Sequence, residues 1–173
     1  MIKVFGAQGN IQNVEGFLDK IQDFGQKNNI IIQVFNADMI YGKNHLFSSV
    51  EHAKRAMEGK TNTTNSLIME ILLYASGERQ LKLAIPKMGI KEGQSNIAFL
   101  FILNNKKIKT KMVGILIDEM LKLFSLCRND AILDGDMSIL KRFCIDENEI
   151  RTVTEDKYGD LILEKIAMVD IIK

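Results

Sequence analysis

The chain has 173 residues, 46% hydrophobic and 26% charged, which is the composition of an ordinary globular protein that can bury its own core. No apolar run approaches the ~20 residues that a membrane-spanning helix needs, and the first residues alternate like a strand instead of forming an export signal, so we expect a cytoplasmic protein without a membrane partner. The net charge is only +1, but residues 43–91 carry eight cations and four acids, whereas residues 129–173 carry six cations and eleven acids. This distribution fits a basic face for a polyanion, and it fits solvated helix surfaces equally well.

The cysteines and histidines do not form a metal-binding pattern. Cys127 and Cys144 belong to no CxxC or Cys/His cluster, so we expect reduced, partly buried thiols and no disulfide scaffold. His45 and His52 lie seven positions apart on one predicted helix, which is roughly 10 Å by the helical rise and too far to share a metal ion. We therefore expect structural or surface roles for both histidines, with no metal and no cofactor.

Hydrophobic periodicity predicts an alternation of strands and helices in the first hundred residues. Gly6 to Asn10 are predicted to form a turn after the first strand, Asn44 to cap a helix that ends at Gly59, and Gly77 to adopt the left-handed conformation after another helix. The predicted strands are 2–5, 30–35 and 96–103, and the predicted helices are 12–27, 44–59, 65–76 and 78–88.

The pattern is weaker after Asn104. Lys106, Lys107, Lys109 and Lys111 form a basic run that leads into a helix predicted over 111–126. Residues 131–153 are compatible with a strand, a short helix or a loop, and a final helix is predicted over 155–170. Strands flanked by helices indicate an α+β or mixed α/β fold, with a small sheet covered by several helices in a single compact domain over residues 1–173.

The polar segment from Asn65 to Gln80 is the best candidate for a functional surface. Its helix is predicted to bury an apolar face while Ser66 and Glu70 share another face one turn apart. The next helix, over 78–88, is predicted to turn Leu81, Ala84, Ile85 and Met88 inward and to point Arg79 and Lys82 outward, and Pro86 is expected to bend or shorten it.

Patterns typical of catalysis are missing. Gly6-x-x-Gly9 follows a strand but lacks the spacing and the Gly-Lys-Ser/Thr ending of phosphate loops. Ser66 and Glu70 form a pair without the third group that nucleophilic catalysis requires. We therefore predict that the chain is not an enzyme. The rival hypothesis is a small hydrolase or nucleotide-binding enzyme that uses Glu70 and Asp38 in a deep pocket.

Several of these segments together resemble a known family, namely the archaeal kinase-binding subunit of the KEOPS complex, whose eukaryotic relatives are the PRPK-binding proteins (TPRKB). The resemblance spans about 30–103 and 155–170, whereas 104–150 departs from the family pattern. It is carried by Asn36-Ala37-Asp38, Asn65-Ser66, Glu70-Ile71-Leu72, Ala75-Ser76-Gly77-Glu78-Arg79-Gln80, Ala84-Ile85, Gly89-Ile90-Lys91-Glu92-Gly93 and Leu163-Glu164-Lys165-Ile166-Ala167.

The resemblance implies a non-catalytic subunit of the machinery that makes threonylcarbamoyladenosine in tRNA. Such a subunit binds the KEOPS kinase/ATPase subunit, recruits tRNA through its 3′ CCA end, and serves the threonylcarbamoyltransferase subunit indirectly. A single-stranded CCA end needs cations for its phosphates and polar groups for its base edges. The expected RNA-binding residues are Lys60, Asn65, Ser66, Ser76, Gly77, Arg79, Gln80 and Lys82.

Structural explanations remain open for part of this set. Asn65 and Ser66 also fit helix caps, Glu70 also fits an ion pair with Arg79, and Gly77 also fits a plain C-cap.

The kinase interface is less well marked in the sequence. The amphipathic helices 12–27 and 155–170 are its candidates, and a kinase-docking adaptor without intrinsic tRNA binding is the alternative function.

Overall fold

A computed structural model describes residues 1–103 and 110–172. Within these residues the fold contains four strands, eight α-helices and three short 3-10 helices. The predicted α+β class is therefore confirmed. The strands are β1 (Ile2–Ile11), β2 (Ile30–Asn36), β3 (Gly93–Leu103) and β4 (Cys127–Arg128), and the helices are α1 (Val14–Lys27), α2 (Gly42–Gly59), α3 (Leu67–Ser76), α4 (Leu81–Met88), α5 (Thr110–Leu123), α6 (Met137–Arg142), α7 (Glu147–Arg151) and α8 (Tyr158–Ile172).

The chain forms two compact units, and each unit combines two separate segments of sequence. Unit 1 contains residues 1–37 and 90–133, and unit 2 contains residues 38–89 and 134–173. The prediction of one domain over the whole chain stays a prediction. None of the helices in the described residues is long and apolar enough to cross a membrane.

Unit 1 is an antiparallel sheet with the strand order β2-β3-β1-β4. Alternate residues of β1 and β3 point to the same side of the sheet, because side chains alternate along a strand. They pack with the apolar faces of α1 and α5 into one core, which includes Phe5, Phe99, Phe101, Phe17 and Ile117. The rings of Phe5 and Phe99 stack with their centroids 5.0 Å apart.

The predicted turn at Gly6 to Asn10 is wrong, because these residues continue β1 in register with β3. The two glycines do not reverse the chain. They allow other residues to pack closely against the strand. A Cβ atom on Gly6 would overlap the carbonyl oxygen of Asn129, and one on Gly9 would overlap the Leu126 side chain. The Gly6-x-x-Gly9 pattern is therefore part of a strand, not a phosphate loop.

The predicted cysteine burial is also wrong. Both thiols are free and exposed. Cys127 lies in the two-residue edge strand β4, and Cys144 follows α6 in a left-handed conformation with φ 55°. Edge strands and helix ends leave side chains open to solvent, which periodicity alone does not reveal.

Unit 2 is helical, and α2, α3 and α8 supply most of its core. Leu46 and Val50 of α2, Leu73 of α3, and Ile162 and Ile166 of α8 are completely buried. The predicted final helix is confirmed as α8 (Tyr158–Ile172), and its residues Leu161, Ile162, Ile166 and Val169 are all buried.

A polar contact joins the same three helices near the end of α8. Asp170 accepts a hydrogen bond from the Tyr74 hydroxyl, and its other carboxylate oxygen lies 2.7 Å from Nδ1 of His52. Burial, followed by the contact with Asp170, raises the pKa of Tyr74. The Tyr74 hydroxyl therefore stays protonated and acts as a donor.

Several predicted boundaries in unit 2 differ from the structure. Helix α2 begins at Gly42 after Tyr41, so Asn44 lies in the first turn and is not the cap. Helix α4 begins at Leu81, three residues after the predicted start at Glu78. It ends two residues after Pro86, which agrees with the shortening expected from that proline. Ile85 is 50% exposed, so its predicted burial is wrong.

The region after α5 resolves into short elements that periodicity could not assign. Residues 130–133 form a 3-10 helix, and α6 and α7 follow. Each of these two helices starts with an aspartate whose carboxylate accepts backbone N–H groups, Asp136 for α6 and Asp146 for α7. Lys106, Lys107 and Lys109 of the predicted basic run lie outside the described residues.

Candidate nucleic-acid interface

The eight residues expected to bind RNA all lie in unit 2, in two groups at opposite ends of α3. Helix α3 has ten residues, so its ends are separated by about 15 Å at the standard helical rise. The structure brings the second group together and leaves the first group a helix length away. The first group is Lys60, Asn65 and Ser66, and the second is Ser76, Gly77, Arg79, Gln80 and Lys82.

The backbone after α3 folds into a closed cap. Gly77 has φ +68°, and its N–H donates to the Tyr74 carbonyl at 3.0 Å. The N–H of Glu78 donates to the Leu73 carbonyl at 3.2 Å, which is the bond pattern of a Schellman motif. Ser76 is completely buried, and its hydroxyl donates to the Leu73 carbonyl at 2.8 Å. Gly77 is therefore a C-cap, and the Ser76 side chain supports the turn.

Two side chains from other helices complete this cap. Nε2 of His45 lies 2.8 Å from the Ala75 carbonyl, and Nζ of Lys87 donates to the Ser76 carbonyl at 2.7 Å. The last four carbonyls of a helix lack partners within the helix, and here every one of them accepts a hydrogen bond. The turn that leads to Arg79 is accordingly fixed at several points.

His45 is held in one neutral tautomer. Its Nδ1 atom accepts the backbone N–H of Tyr41 at 3.1 Å, and since an N–H can only donate, the ring proton lies on Nε2 and faces Ala75. Burial lowers the pKa of His45 to about 4, and the nearby Lys87 lowers it as well, against the opposing effect of the Ala75 carbonyl. The expected structural role of His45 is confirmed.

Lys87 is a structural cation. Besides Ser76, its Nζ atom donates to Oε1 of Glu78 at 2.9 Å and lies 4.3 Å from the centre of the Phe143 ring. With these partners, Lys87 contributes little to any basic surface, although the sequence counts it among the cations of that region.

Arg79, Gln80 and Lys82 form the exposed part of the second group. Gln80 occupies the N-cap position of α4 without a side-chain hydrogen bond to the helix. Among the residues that the structure describes, Arg79 makes no hydrogen bond or ion pair. The neighbouring Leu83 and Ile85 are 49% and 50% exposed. The surface therefore combines two cations, the amide of Gln80 and apolar side chains.

The loop before α3 is organised by Glu70. The Glu70 side chain is completely buried, and its carboxylate accepts the N–H groups of Thr63 and Thr64 at 3.1 and 3.0 Å and the Thr64 hydroxyl at 3.1 Å. Glu70 lies one turn from Ser66, and its N–H donates to the Ser66 carbonyl at 2.9 Å. Its carboxylate can be buried because it accepts several backbone N–H groups. Glu70 fixes the loop that displays Asn65.

The remaining members of the first group are exposed. Lys60 ends α2 in a left-handed conformation with φ 57°, and Ser66 occupies the N-cap position of α3 without a side-chain cap bond. Their polar groups face solvent at the end of α3 away from Arg79. No group of three histidine, cysteine or acidic side chains within residues 1–103 and 110–172 is arranged to hold a metal ion.

Comparison with known proteins adds the family. The family model for the kinase-binding protein CGI-121 matches residues 9–170. The chain belongs to the CGI-121 family. A similar protein is the regulatory protein Cgi121 of Methanocaldococcus jannaschii, which is 39% identical over 61 residues. That alignment covers 35% of this chain and 39% of the relative, so it spans well under half of either protein.

The CGI-121 match covers the two groups beside α3, and it also covers the segment 104–150, which we expected to depart from the family pattern. The sequence did not reveal the anchoring residues His45, Glu70 and Lys87. In the sequence these three polar residues look like surface residues, because the backbone groups that they bind belong to residues elsewhere in the chain. The only sequence signal was the left-handed glycine, which marks the turn that they support.

Proposed function

We propose that this chain is a non-catalytic subunit of the KEOPS complex for tRNA threonylcarbamoyladenosine modification. In this proposal it binds the KEOPS kinase/ATPase subunit, recruits tRNA through the 3′ CCA end, and acts on the transferase subunit only indirectly. The family match over residues 9–170 carries the kinase-binding part, because the family is described by that property.

The exposed surface at the start of α4 supports the RNA-binding part. Single-stranded RNA is bound by cations that meet phosphates and by flat or polar groups that meet bases. Arg79 and Lys82 supply the cations, Gln80 supplies an amide that can pair with a base edge, and Leu83 supplies apolar surface. The capped turn at Gly77 fixes the backbone that leads to these residues without occupying their side chains. A fixed backbone lowers the conformational entropy that is lost on binding.

The position of Glu70 supports a binding role over a hydrolytic one. Its carboxylate is completely buried and serves backbone N–H groups of the preceding loop. A general base must reach a substrate proton, and this carboxylate faces its own loop. Asp38, the other acid of the hydrolase hypothesis, is exposed in a 3-10 helix.

A second candidate is a kinase-docking adaptor without intrinsic tRNA binding. It is favoured by the structural use of Ser76 and Gly77, two of the eight residues expected to bind RNA, and by that of Lys87, a cation of the same region. The separation of Lys60 and Asn65 from Arg79 by the length of α3 points the same way, because a compact ligand cannot contact both ends at once.

Binding of the purified protein to one tRNA transcript, with and without its CCA end, distinguishes the two candidates. Affinity is measured at two salt concentrations, because phosphate contacts weaken as salt rises. Recruitment through the CCA end predicts that the trimmed transcript binds at least ~10-fold more weakly. Equal weak binding to both transcripts, together with binding to the purified kinase, would instead favour the adaptor.

A further inference from the structure

The two edges of the sheet in unit 1 have different properties. The strand order β2-β3-β1-β4 places β4 at one edge and β2 at the other. Strand β4 is two residues long and contains Arg128, and proteins commonly protect sheet edges with short strands and charged side chains. Strand β2 has seven residues, without a charged residue or a proline. The edge at β2 therefore lacks the protection that the edge at β4 has.

The backbone of β2 can form hydrogen bonds with a second strand. Its residues pair with β3 in one uninterrupted antiparallel register. In such a ladder the N–H and C=O groups of alternate residues face the neighbouring strand, and the groups between them face away. In the described parts of the chain, Ile31, Ile32 and Val34 make no backbone hydrogen bond outside this ladder. The outward groups of this edge are therefore available to another strand.

Uncharged side chains of α1 lie beside this edge. Helix α1 approaches the start of β2 closely, because a Cβ atom on Gly25 would come within 2.6 Å of the Ile30 carbonyl oxygen. Leu18 and Gln22 lie seven and three residues before Gly25, which places them on the same side of the helix. Leu18 is 39% exposed, and Gln22 is also exposed. The free edge of β2 is therefore continued by a leucine and an amide of α1.

We propose that β2 pairs in antiparallel orientation with β2 of a second copy of this chain, so that the two sheets join across a two-fold axis. Pairing centred on Gln33 places Ile32 opposite Val34 of the second copy, and Ile31 opposite Phe35 of the second copy. Directly opposite residues point to the same face of a sheet, so both pairs bring apolar side chains together. Self-association of this kind is independent of kinase binding and of tRNA binding, and the residues proposed to bind RNA lie in unit 2, outside β2 and α1.

The absence of charge favours a second copy over other occupants of the edge. A two-fold contact brings the same surface of both copies together, so charged residues of one sign would repel each other there. Leu18, Gln22 and the residues of β2 carry no charge, and a glutamine amide complements a second amide because it both donates and accepts. An RNA strand would meet no cation among these residues for its phosphates. The edge is therefore complementary to itself.

The size of the contact predicts a weak dimer. A stable protein interface buries about 800 Å² on each partner. One strand of seven residues and one side of a helix form a smaller contact, so we expect a dissociation constant of about 10–100 µM. The protein is then monomeric in dilute samples and dimeric in concentrated ones.

The test is sedimentation velocity of the purified full chain between about 1 and about 300 µM, a range that brackets the expected dissociation constant. Leu18→Lys is the test variant, and Leu123→Lys is the matched control, because Leu123 is a 64% exposed leucine on α5 of the same unit. Melting curves establish that both variants are folded, which is expected for exposed positions. We expect wild type and Leu123→Lys to dimerise equally, and Leu18→Lys to dimerise at least ~10-fold more weakly, because two ammonium groups enter a neutral contact.

Hydrogen exchange locates the contact without a substitution. The outward N–H groups of β2 exchange with solvent in the monomer and become hydrogen-bonded in the dimer. We expect slower exchange in peptides that cover residues 30–36 when wild type is concentrated from about 1 to about 300 µM. Peptides from α5 are the internal control and should not change.

Three results would overturn the proposal. Wild type that stays monomeric at the highest concentration would exclude self-association. A dimer that shows no slower exchange in residues 30–36, or that Leu18→Lys and Leu123→Lys affect equally, would place the contact on another surface. Slower exchange of β2 that requires added tRNA or kinase, in a protein that is otherwise monomeric, would assign the edge to that partner. A dimer that only Leu18→Lys weakens, with slower exchange in β2, is the result that the proposal predicts.

Discussion

His45 is expected to make the folded protein acid-sensitive. It is completely buried, and protonation would place an Nδ1–H group against the backbone N–H of Tyr41, which now donates to that atom at 3.1 Å. The perturbation is a fall in pH, and the comparison protein is His45→Gln. The glutamine amide can still donate to the Ala75 carbonyl but does not titrate.

The size of the effect follows from the pKa in the two states. The pKa of His45 is lowered to about 4 in the folded protein, from 6.5 for an ordinary histidine. Because the unfolded state binds the proton more tightly, the folded state is fully favoured above pH 6.5 and loses stability as the pH falls from 6.5 to about 4. The difference corresponds to about 3 kcal/mol in the free energy of unfolding.

The assay is urea denaturation of wild type and His45→Gln between pH 4 and pH 7.5. All other ionisable groups are common to the two proteins, so their contributions cancel in the difference between them. We expect the stability difference to be constant above pH 6.5 and to shift by about 3 kcal/mol in favour of the variant towards pH 4. Parallel curves for the two proteins across this range would refute the reasoning about His45.

Three further substitutions test the surface at Arg79 and the residues that hold the two ends of α3. Arg79→Glu should weaken tRNA binding about 10-fold and reduce its salt dependence without changing the melting temperature. Lys91→Glu is the matched control. Equal losses of tRNA affinity for both variants in a filter-binding assay would remove Arg79 from the site. Lys87→Met should destabilise the protein by about 1–3 kcal/mol in urea because the Ser76 carbonyl loses its donor, and a change below ~0.5 kcal/mol would contradict this. Glu70→Gln should speed hydrogen exchange in the loop before α3, because the new NH₂ group cannot accept the backbone N–H groups, and unchanged exchange would show that the carboxylate does not hold the loop.

The sequence predicted the elements that bury one apolar side in the core of their own unit. Helices α1 and α8 and the strands β2 and β3 were found near their true positions, because burial on one side imposes the period of 3.6 or 2. The left-handed conformation of Gly77 was also found, since few residues other than glycine adopt it readily.

The sequence could not predict features that depend on partners far along the chain. Gly6 resembles a turn residue, and it lies in β1 because Asn129 approaches it closely. Helix α4 starts late because the N–H of Glu78 is committed to the end of α3. The buried positions of His45 and Glu70 depend on backbone groups that periodicity does not represent.

The same limit applies to the candidate site. Eight residues were expected to act together, yet α3 separates Lys60 from Arg79 by its full length, and Ser76 turns inward to its own helix. The sequence indicated the segment in which the candidate RNA-binding surface lies. The three-dimensional structure is needed to distinguish exposed residues such as Gln80 from residues that support the fold.

The most direct test of tRNA recruitment is the ratio of dissociation constants for CCA-trimmed and intact tRNA, measured for wild type and for the double variant Arg79→Glu, Lys82→Glu. We expect a ratio of at least ~10 for the wild type and a ratio near one for the variant, because the cations that meet the RNA end are reversed. A wild-type ratio of one, or a variant that keeps the wild-type ratio, would contradict recruitment through this surface.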